Sequence, residues 1–536
     1  MIYLALGDRR LRAAAAYTGD ATLVRDKREA RAVLRTADEV FAGDPEALAL
    51  AYAHRRPGLV VRLEPAPDPG RRPAPADLAV VTPWYPSPDD PFAGAFVRAA
   101  TAAVRPGFDR VAILHTQSWF YPPGRLTGQL LGVAAERQAL RSGNAVVLDT
   151  AEGELTRVAV PSPAGGDHLA YADEQTRSLR AALPTGRIEA PVVHAHVGIL
   201  GGVVAARLAR PDARLVVTEH ATFLDAVLAR PAARDRYARM LDRADLLLCV
   251  GAQLRDQLAG YFPEHAGKLR IVPNAIDFDA FAVRPAPPAA PDRWLYVGRL
   301  MEHKGVLTLL DAAATDPGVT VTLVGSGPLE AAVDARIAEL GLTGRVTRRP
   351  PVPPDRVTAL LHEHDVLVHA SRRETFGMTV VEAVATQTPV LVARSAGPAE
   401  TLAGLDGRAG VLVEPSPDPA VLVEGFRRLR AIFGELDPAG ARAELLNRYG
   451  NAAVAGQLHD AYTSSGTISA ATVPGRTDPV LQRLTARLPS PLPEAVVRAA
   501  RRIVSRDAPD EARWKHGLPD RTRTAAAGHH GGGVRA

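Results

Sequence analysis

The chain has 536 residues, of which 46% are hydrophobic and 23% charged, and its formal net charge is +5 at pH 7. This length exceeds what one hydrophobic core usefully serves, so the sequence predicts two or three domains. The positive charge is concentrated in residues 464–536, which hold 12 Lys and Arg against 6 Asp and Glu. Because the rest of the chain is close to neutral, the composition argues against a nucleic-acid-binding protein.

The single cysteine, Cys249, lies in an apolar run and cannot form a disulfide within the chain. We predict a buried structural thiol, and the lack of a disulfide fits a reducing interior. No signal-peptide pattern is visible, and no uncharged apolar run approaches the roughly 20 residues of a membrane-spanning helix. We therefore expect a cytoplasmic protein, and leave open a contact with the inner face of the membrane.

Composition and periodicity divide the chain into several parts. These are an α/β extension of unknown role (1–65), a first large α/β domain (77–283), a second (293–450), a helix (451–465) and a basic, low-complexity tail (466–536) that we predict to be partly disordered. Pro-rich linkers precede each large domain, at 66–76 and 284–292. Within the extension, residues 26–41 carry a continuous helical pattern.

The stretch around residue 374 alternates strand and helix patterns. It predicts a strand (Val366–His369), a polar turn (Ser371–Met378), a helix from about Thr379 to Thr386 and a second strand (Val390–Ala393). In a doubly wound sheet such a turn lies where ligands bind, and the next helix points free N–H groups at them. Gly377 lets the backbone approach a ligand closely. Glu374 in the turn and Glu382 on the helix place one carboxylate at the mouth of the pocket and one deeper.

The second domain opens with WLYVGRLMEHKGV (294–306), a buried strand followed by a loop with two cations. Arg299 and Lys304 would both lie at the carboxyl end of this strand. Arginine as a planar fork and lysine as a point charge suit a diphosphate, and a solvated basic loop is the alternative. The following strand ends in a turn with two glycines, Gly325 and Gly327.

Three strand ends of the first domain carry further candidates. Gly94 opens a helix after a buried strand and a Pro-rich loop. His194 and His196 alternate on one strand and share a face, and His220 ends the next. A zinc site is one interpretation of the three histidines, although no fourth ligand or close pair supports it. We favour polar residues lining a cleft, with His194 structural.

Together, E-T-F-G-M-T-V-V-E and the preceding G-R-L-M-E-H-K-G resemble the retaining glycosyltransferases of the GT-B fold, specifically the large GT4-type family. The resemblance covers about residues 78–463. It implies two Rossmann-like doubly wound domains facing a cleft, the first on the acceptor side and the second binding a nucleotide sugar. It also implies a retaining hexosyltransferase that acts on a glycan, a lipid-linked sugar or a small molecule.

The resemblance also implies roles for individual residues. They are sugar-contacting catalytic residues (Glu374 and His220), donor diphosphate-binding residues (Arg299, Lys304, Phe376, Gly377 and Met378), a ribose-binding residue (Glu382), a nucleoside-side loop (Gly325 and Gly327) and an acceptor-side loop (Gly94). The helix at 451–465 would cross back to the first domain. Two alternatives remain: a non-catalytic GT-B-like module that binds a nucleotide sugar, and a sugar-nucleotide epimerase on the same fold.

The resemblance implies neither a cofactor nor a metal. Asp277-Phe278-Asp279 spells the metal-binding D-x-D of a different transferase fold, but it matches a hinge segment of this family. Gln387 stands where the family commonly has glycine, and Pro350 or Pro351 stands where the family usually has a glycine near the base. We therefore make no prediction of the base, the sugar or the acceptor.

The tail contains two short amphipathic stretches, 480–488 and 494–506. In the second, apolar residues share one face at helical spacing and arginines occupy much of the remainder. Such a helix can lie on an anionic membrane surface or pack on the protein body. We favour packing, and a peripheral membrane contact stays an alternative.

Overall fold

The computed structural model describes residues 71–87, 90, 92–121, 145–163 and 165–464, together with short segments nearer the amino terminus (2–4, 22–24, 26–42, 47, 50–51, 54 and 59–62). The described strands are β1 (Ile2–Leu4), β2 (Thr22–Val24), β3 (Glu39–Ala42), β4 (Val60–Arg62), β5 (Leu78–Thr82), β6 (Val111–Tyr121), β7 (Ala145–Thr150), β8 (Gly153–Pro163), β9 (Val192–His196), β10 (Arg214–Glu219), β11 (Leu246–Cys249), β12 (Leu269–Ile271), β13 (Arg293–Val297), β14 (Thr320–Val324), β15 (Val346–Arg349), β16 (Val366–His369), β17 (Val390–Ala393) and β18 (Gly410–Val413).

The described helices are α1 (Lys27–Thr36), α2 (Ala95–Val104), α3 (His168–Ala182), α4 (Val203–Leu208), α5 (Leu224–Leu228), α6 (Pro231–Arg243), α7 (Ala252–Tyr261), α8 (Val306–Ala314), α9 (Glu330–Glu339), α10 (Pro354–Glu363), α11 (Met378–Ala385), α12 (Ala396–Thr401), α13 (Pro419–Ile432), α14 (Pro438–Tyr449) and α15 (Asn451–Thr463). A π-helical turn (Val197–Gly202) precedes α4, and a 3₁₀ turn (Glu302–Lys304) precedes α8.

The amino-terminal extension is a small parallel sheet with the strand order β2-β1-β3-β4. The prediction of one helix over 26–41 was wrong in its last five residues, because α1 ends at Thr36 and Glu39 begins β3. Val40 and Phe41 are buried in this sheet, where β-branched and aromatic side chains pack well. Trp119 of β6 belongs to the same hydrophobic cluster as the extension, so the extension packs on the first domain.

The first large domain contains an eight-stranded sheet in the order β12-β11-β10-β9-β5-β6-β8-β7. Its neighbouring strands are parallel except for the antiparallel β7–β8 hairpin. Every residue of β5 is buried, as expected for a central parallel strand covered on both faces. Cys249, at the end of β11, is also buried, and burial raises the pKa of its thiol to about 12, which makes it unreactive.

The second large domain has a six-stranded, fully parallel sheet in the order β15-β14-β13-β16-β17-β18. This is the strand order of a dinucleotide-binding doubly wound fold. The order reverses between β13 and β16, so the loops after these two strands open toward each other. Ligands bind at such a switch point, at the carboxyl ends of the strands. The loops in question carry Arg299 and Lys304 after β13 and Glu374 after β16.

Helix α15 lies against the first domain after the chain has completed the second. Val454 and Tyr462 share a hydrophobic cluster with Val80 of β5, and Arg214 Nε donates to the carbonyl oxygen of Ala461 at 2.9 Å. Within the described part of the chain, no helix combines the length and the apolar character needed to cross a bilayer. The amphipathic stretches of the tail lie outside the described residues.

Gln387 adopts a left-handed backbone conformation with φ of 62°. Only glycine adopts this region without a steric penalty, which is about 1–2 kcal/mol for other residues. We expect Gln387→Gly to raise the free energy of unfolding by about 1 kcal/mol, because glycine relieves this strain. Denaturant unfolding measures the change. Gln387→Ala keeps the strain and should give no gain, and equal stability of the two variants would contradict the explanation.

Candidate active site

Two glycines let the loops at the switch point stack closely. A Cβ atom on Gly325 would lie 1.8 Å from the carbonyl oxygen of Gly298, and one on Gly327 would lie 2.4 Å from that of Leu300. Side chains are therefore excluded there, and the loop after β14 rests on the loop that carries Arg299. The hydroxyl of Tyr296, in strand β13, donates to the carbonyl oxygen of Arg299 at 2.7 Å and so anchors this loop to the strand.

Lys304 and Glu374 form a largely buried ion pair. Lys304 Nζ donates to Glu374 Oε1, and His369 Nε2 lies 3.1 Å from the same oxygen. Burial alone would raise the pKa of Glu374, but the Lys304 charge and the contact with His369 outweigh it and hold this pKa at about 2. The carboxylate is therefore ionised at neutral pH.

His369 is a site residue that the sequence reasoning missed. It is the last residue of β16 and is only 5% exposed. The signal was present, because a histidine that ends a buried strand immediately before a polar turn is the pattern that singled out His196 and His220. Only the position of Glu374 relative to the strand reveals that the ring contacts this carboxylate.

Arg299 is a partly buried cation with an unsatisfied nitrogen. Its Nη2 atom is buried and has no hydrogen-bond partner among the described residues. Burial lowers the pKa of the guanidinium, although Asp90 of the first domain lies close enough to counteract part of this effect. A desolvated cation of this kind is costly unless an anion joins it, so Arg299 is a candidate anion contact.

Glu382 lies on α11, and its side chain makes no hydrogen bond within the described residues. Burial raises the pKa of this carboxyl to about 7. Gly377, with φ of 87°, is the N-cap residue immediately before the helix. The backbone N–H groups of Met378 and Thr379 likewise make no hydrogen bond within the described chain. This helix end therefore offers one carboxyl acceptor and two free donors.

The two large domains touch at the same turn. Thr375 Oγ1 donates to the carbonyl oxygen of His220 at 3.2 Å. Nearby, the backbone N–H of Ala252 donates to Glu400 Oε2 at 2.7 Å. The structure thus brings His220 of the first domain beside the turn that holds Glu374, as the predicted cleft requires.

Gly94 shapes the first-domain side of the cleft. It has φ of 65°, and a Cβ atom there would lie 2.0 Å from the carbonyl oxygen of Trp84. This close approach lets α2 begin directly against the loop after β5. Phe96, in the first turn of α2, contacts the ring of His220 with a centroid distance of 4.2 Å.

The three candidate histidines lie together, with His194 and His196 buried and His220 partly exposed. His194 Nε2 lies 2.7 Å from Thr218 Oγ1, and its Nδ1 lies 2.8 Å from the hydroxyl of Tyr462, consistent with a structural role. His196 Nδ1 lies 2.9 Å from His220 Nε2. Burial lowers the pKa of all three rings, to about 3 for His194 and His220, so all three are neutral at physiological pH.

The backbone immediately after His196 is strained. Val197 has φ of 68°, which is unfavourable for a β-branched residue, and its side chain is fully buried. The turn is held by Glu219, which accepts from the N–H of Gly198 at 3.0 Å and from the hydroxyl of Tyr237 at 2.9 Å. Strain of this kind persists where surrounding contacts impose it, often at functional sites. The sequence reasoning missed Glu219.

Two family models match adjacent segments of this chain. A model described as Glycosyl transferases group 1 matches residues 279–432, and one described as Glycosyltransferase Family 4 matches residues 132–280. The D-inositol 3-phosphate glycosyltransferase of Mycolicibacterium smegmatis is 30% identical over 305 residues, which are 52% of this chain and 69% of that protein. The chain belongs to the glycosyl transferases group 1 family. The GT4-type resemblance is thereby confirmed.

One further relative and two solved structures are also similar to this chain. The D-inositol 3-phosphate glycosyltransferase of Acidothermus cellulolyticus is 30% identical over 286 residues, 48% of this chain and 61% of the relative, so less than two thirds of that relative's length is matched. Sucrose-phosphate synthase of Thermosynechococcus elongatus superposes with a TM-score of 0.55 at 18% identity, covering 73% of this chain and 98% of that one. Anabaena HepE, solved with UDP and glucose, gives 0.52 at 17%, covering 73% and 100%. These likenesses confirm the GT-B fold.

Proposed function

We propose that this protein transfers a sugar from a nucleotide-diphosphate sugar to an acceptor, with retention of configuration at the anomeric carbon. The observation that carries the proposal is the set of incompletely satisfied groups at the switch point. Arg299 has a buried nitrogen that no group in the described ranges contacts through a hydrogen bond, and Glu382 has a desolvated carboxyl group. A diphosphate supplies the anion that Arg299 lacks, and ribose hydroxyls supply the donors that Glu382 lacks.

The chemistry of transfer needs stabilisation of a leaving diphosphate. As the bond between the anomeric carbon and the phosphate oxygen breaks, negative charge develops on the diphosphate. Arg299, Lys304 and the free N–H groups at the start of α11 are placed to stabilise this charge. Glu374, held ionised by Lys304, can accept a hydrogen bond from a hydroxyl of the transferred sugar.

We propose that the acceptor attacks from the face that the diphosphate leaves. The new bond joins the acceptor oxygen to the anomeric carbon, and the acceptor proton passes to the departing phosphate oxygen. The alternative base in the cleft is His220, but burial holds its pKa at about 3, which makes it a weak base. This weakness supports the phosphate oxygen as the proton acceptor.

A solved structure of a similar protein indicates which donor nucleotide to test first. HepE, which has the same fold, was solved with UDP and glucose, so UDP-sugars are the first donors to test. The relatives named D-inositol 3-phosphate glycosyltransferase suggest a small phosphorylated polyol as the first acceptor to test.

We propose further that the reaction needs no metal ion and no cofactor, because Arg299 and Lys304 supply the positive charge. Asp277 supports this view, since its carboxylate accepts from the backbone N–H of Asp279 at 3.1 Å and so caps its own turn. No group of three or more metal-ligating side chains occurs in the described ranges. We expect transfer to proceed unchanged in EDTA. Loss of activity that manganese or magnesium restores would contradict this.

The rival functions make different products. We expect slow hydrolysis of UDP-glucose or GDP-mannose, followed by NMR, to release the nucleotide and a sugar whose first-formed anomer matches the donor. An epimerase would instead change a ring carbon of the sugar, and a binding module would leave the donor intact. An inverted first-formed anomer would contradict retention, and an unchanged donor would favour the binding module.

A further inference from the structure

A second histidine is placed to control His220. His196 ends β9, is 1% exposed, and has its Nδ1 atom 2.9 Å from His220 Nε2. The two ring planes differ by 23° and their centroids lie 5.2 Å apart, so the rings meet edge to edge, as a hydrogen bond between ring nitrogens requires. The imidazole of His220 is thus held between His196 and the ring of Phe96.

A hydrogen bond between two neutral imidazoles needs one proton between the facing nitrogens. Either His196 Nδ1–H donates to His220 Nε2, or His220 Nε2–H donates to His196 Nδ1. The first arrangement leaves His196 Nε2 as a bare acceptor and places the remaining N–H on His220 Nδ1. The second leaves His220 Nδ1 bare and places the remaining N–H on His196 Nε2.

The surroundings of the two outer nitrogens differ. His196 Nε2 is buried and has no hydrogen-bond partner among the described residues. His220 Nδ1 is also buried and makes no hydrogen bond of ordinary length there, but the amide of Asn274 lies near this ring. His220 is also partly exposed and lies at the cleft. In the second arrangement the buried N–H of His196 Nε2 has no partner among the described residues, whereas in the first the N–H of His220 Nδ1 has the Asn274 amide near it, so the first arrangement is favoured.

We propose that His196 is a positioning residue that holds His220 in the Nδ1–H tautomer. His220 then carries its remaining N–H on Nδ1, its Nε2 is occupied by His196, and the ring is fixed in one orientation at the cleft. The strained turn at Val197 keeps His196 in register with His220, since it fixes the backbone directly after β9. The effect on the reaction rests on the proposed transferase function, whereas the tautomer itself does not.

The tautomer can be observed directly in the full chain. Protein labelled with ¹⁵N-histidine gives two-bond ¹⁵N–¹H correlations that distinguish the two neutral tautomers, and the His220 signals are assigned by their loss in His220→Gln. We expect wild-type His220 to carry its proton on Nδ1. If the proton is on Nε2, the proposal is overturned, with no mutation of His196 required.

Two matched variants test what His196 contributes. His196→Asn keeps a donor close to the position of Nδ1, whereas His196→Leu has a similar volume and no donor. We expect the leucine variant to move His220 to the Nε2–H tautomer and to lower kcat/KM about tenfold, the effect of one lost hydrogen bond. The asparagine variant should retain the tautomer and most of the activity. Thermal unfolding and UDP binding report whether each variant is folded.

The outcomes separate this proposal from the proposed function. An unchanged tautomer in a folded leucine variant overturns the positioning role, as does a changed tautomer with unchanged kcat/KM. A wild-type protein that shows the Nδ1–H tautomer but transfers no sugar would support the geometric assignment and refute the transferase function instead.

Discussion

Lys304→Ala should abolish measurable sugar transfer and lower the free energy of unfolding by about 3 kcal/mol. Both effects follow from the loss of the Lys304 charge. Lys304 neutralises Glu374, whose side chain is 12% exposed, so removing the lysine leaves a carboxylate buried beside His369 without its cation. It also removes one of the two positive charges placed for the diphosphate. Denaturant unfolding and a donor hydrolysis assay measure the two losses separately.

Arg299→Ala is the matched control for this prediction. It removes a cation from the same loop, but one without an ion-pair partner among the described residues. We expect transfer to be lost while stability stays unchanged or rises, because a desolvated charge is removed. The double variant Lys304→Ala with Glu374→Gln should recover stability and remain inactive. Equal destabilisation by Lys304→Ala and Arg299→Ala would contradict the ion-pair assignment.

Glu382→Gln should weaken UDP binding about 10- to 100-fold, because a charged acceptor of hydrogen bonds is lost. Burial raises the pKa of Glu382 from 4.5 to about 7, so the folded protein holds a proton here that the unfolded chain releases. Stability therefore falls as the pH rises between these values. Across this pH window the glutamine variant should become more stable relative to the wild type, and above pH 7 its free energy of unfolding should be higher by about 1–3 kcal/mol.

Binding of UDP should reverse the protonation of Glu382. Ribose hydroxyls that donate to the carboxylate favour its ionised form, so the complex should release a proton near pH 6. Titration calorimetry in two buffers of different ionisation enthalpy measures that release. Glu382→Gln should show none. Equal proton release by both proteins would place the titrating group elsewhere.

The sequence predicted the second domain well because its strands are short apolar runs bounded by turns. Strands Val366–His369 and Val390–Ala393 were predicted with the bounds the structure gives, and the intervening helix begins one residue earlier than predicted, at Met378. In the extension, helix propensity extended the prediction through residues 39–41. There, pairing with β1 and β4 decides the structure, and such pairing between distant segments has no local signal.

The candidate site was predicted residue by residue but not as a set of contacts. The motif indicated Lys304 and Glu374 as separate contacts to a ligand, whereas the structure pairs them with each other. His196 ends β9 and His220 directly follows β10, so the two facing nitrogens come from residues 24 positions apart in the sequence. Which ring nitrogens meet depends on strand register and side-chain rotamers, and neither can be obtained from the spacing of residues in the sequence.

The most direct test of the proposed donor site is a crystal structure of the full chain with UDP. We expect the diphosphate to contact Arg299, Lys304 and the backbone N–H groups at the start of α11, with both ribose hydroxyls on Glu382. A nucleotide bound away from the switch point between β13 and β16, or a ribose turned away from Glu382, would contradict it.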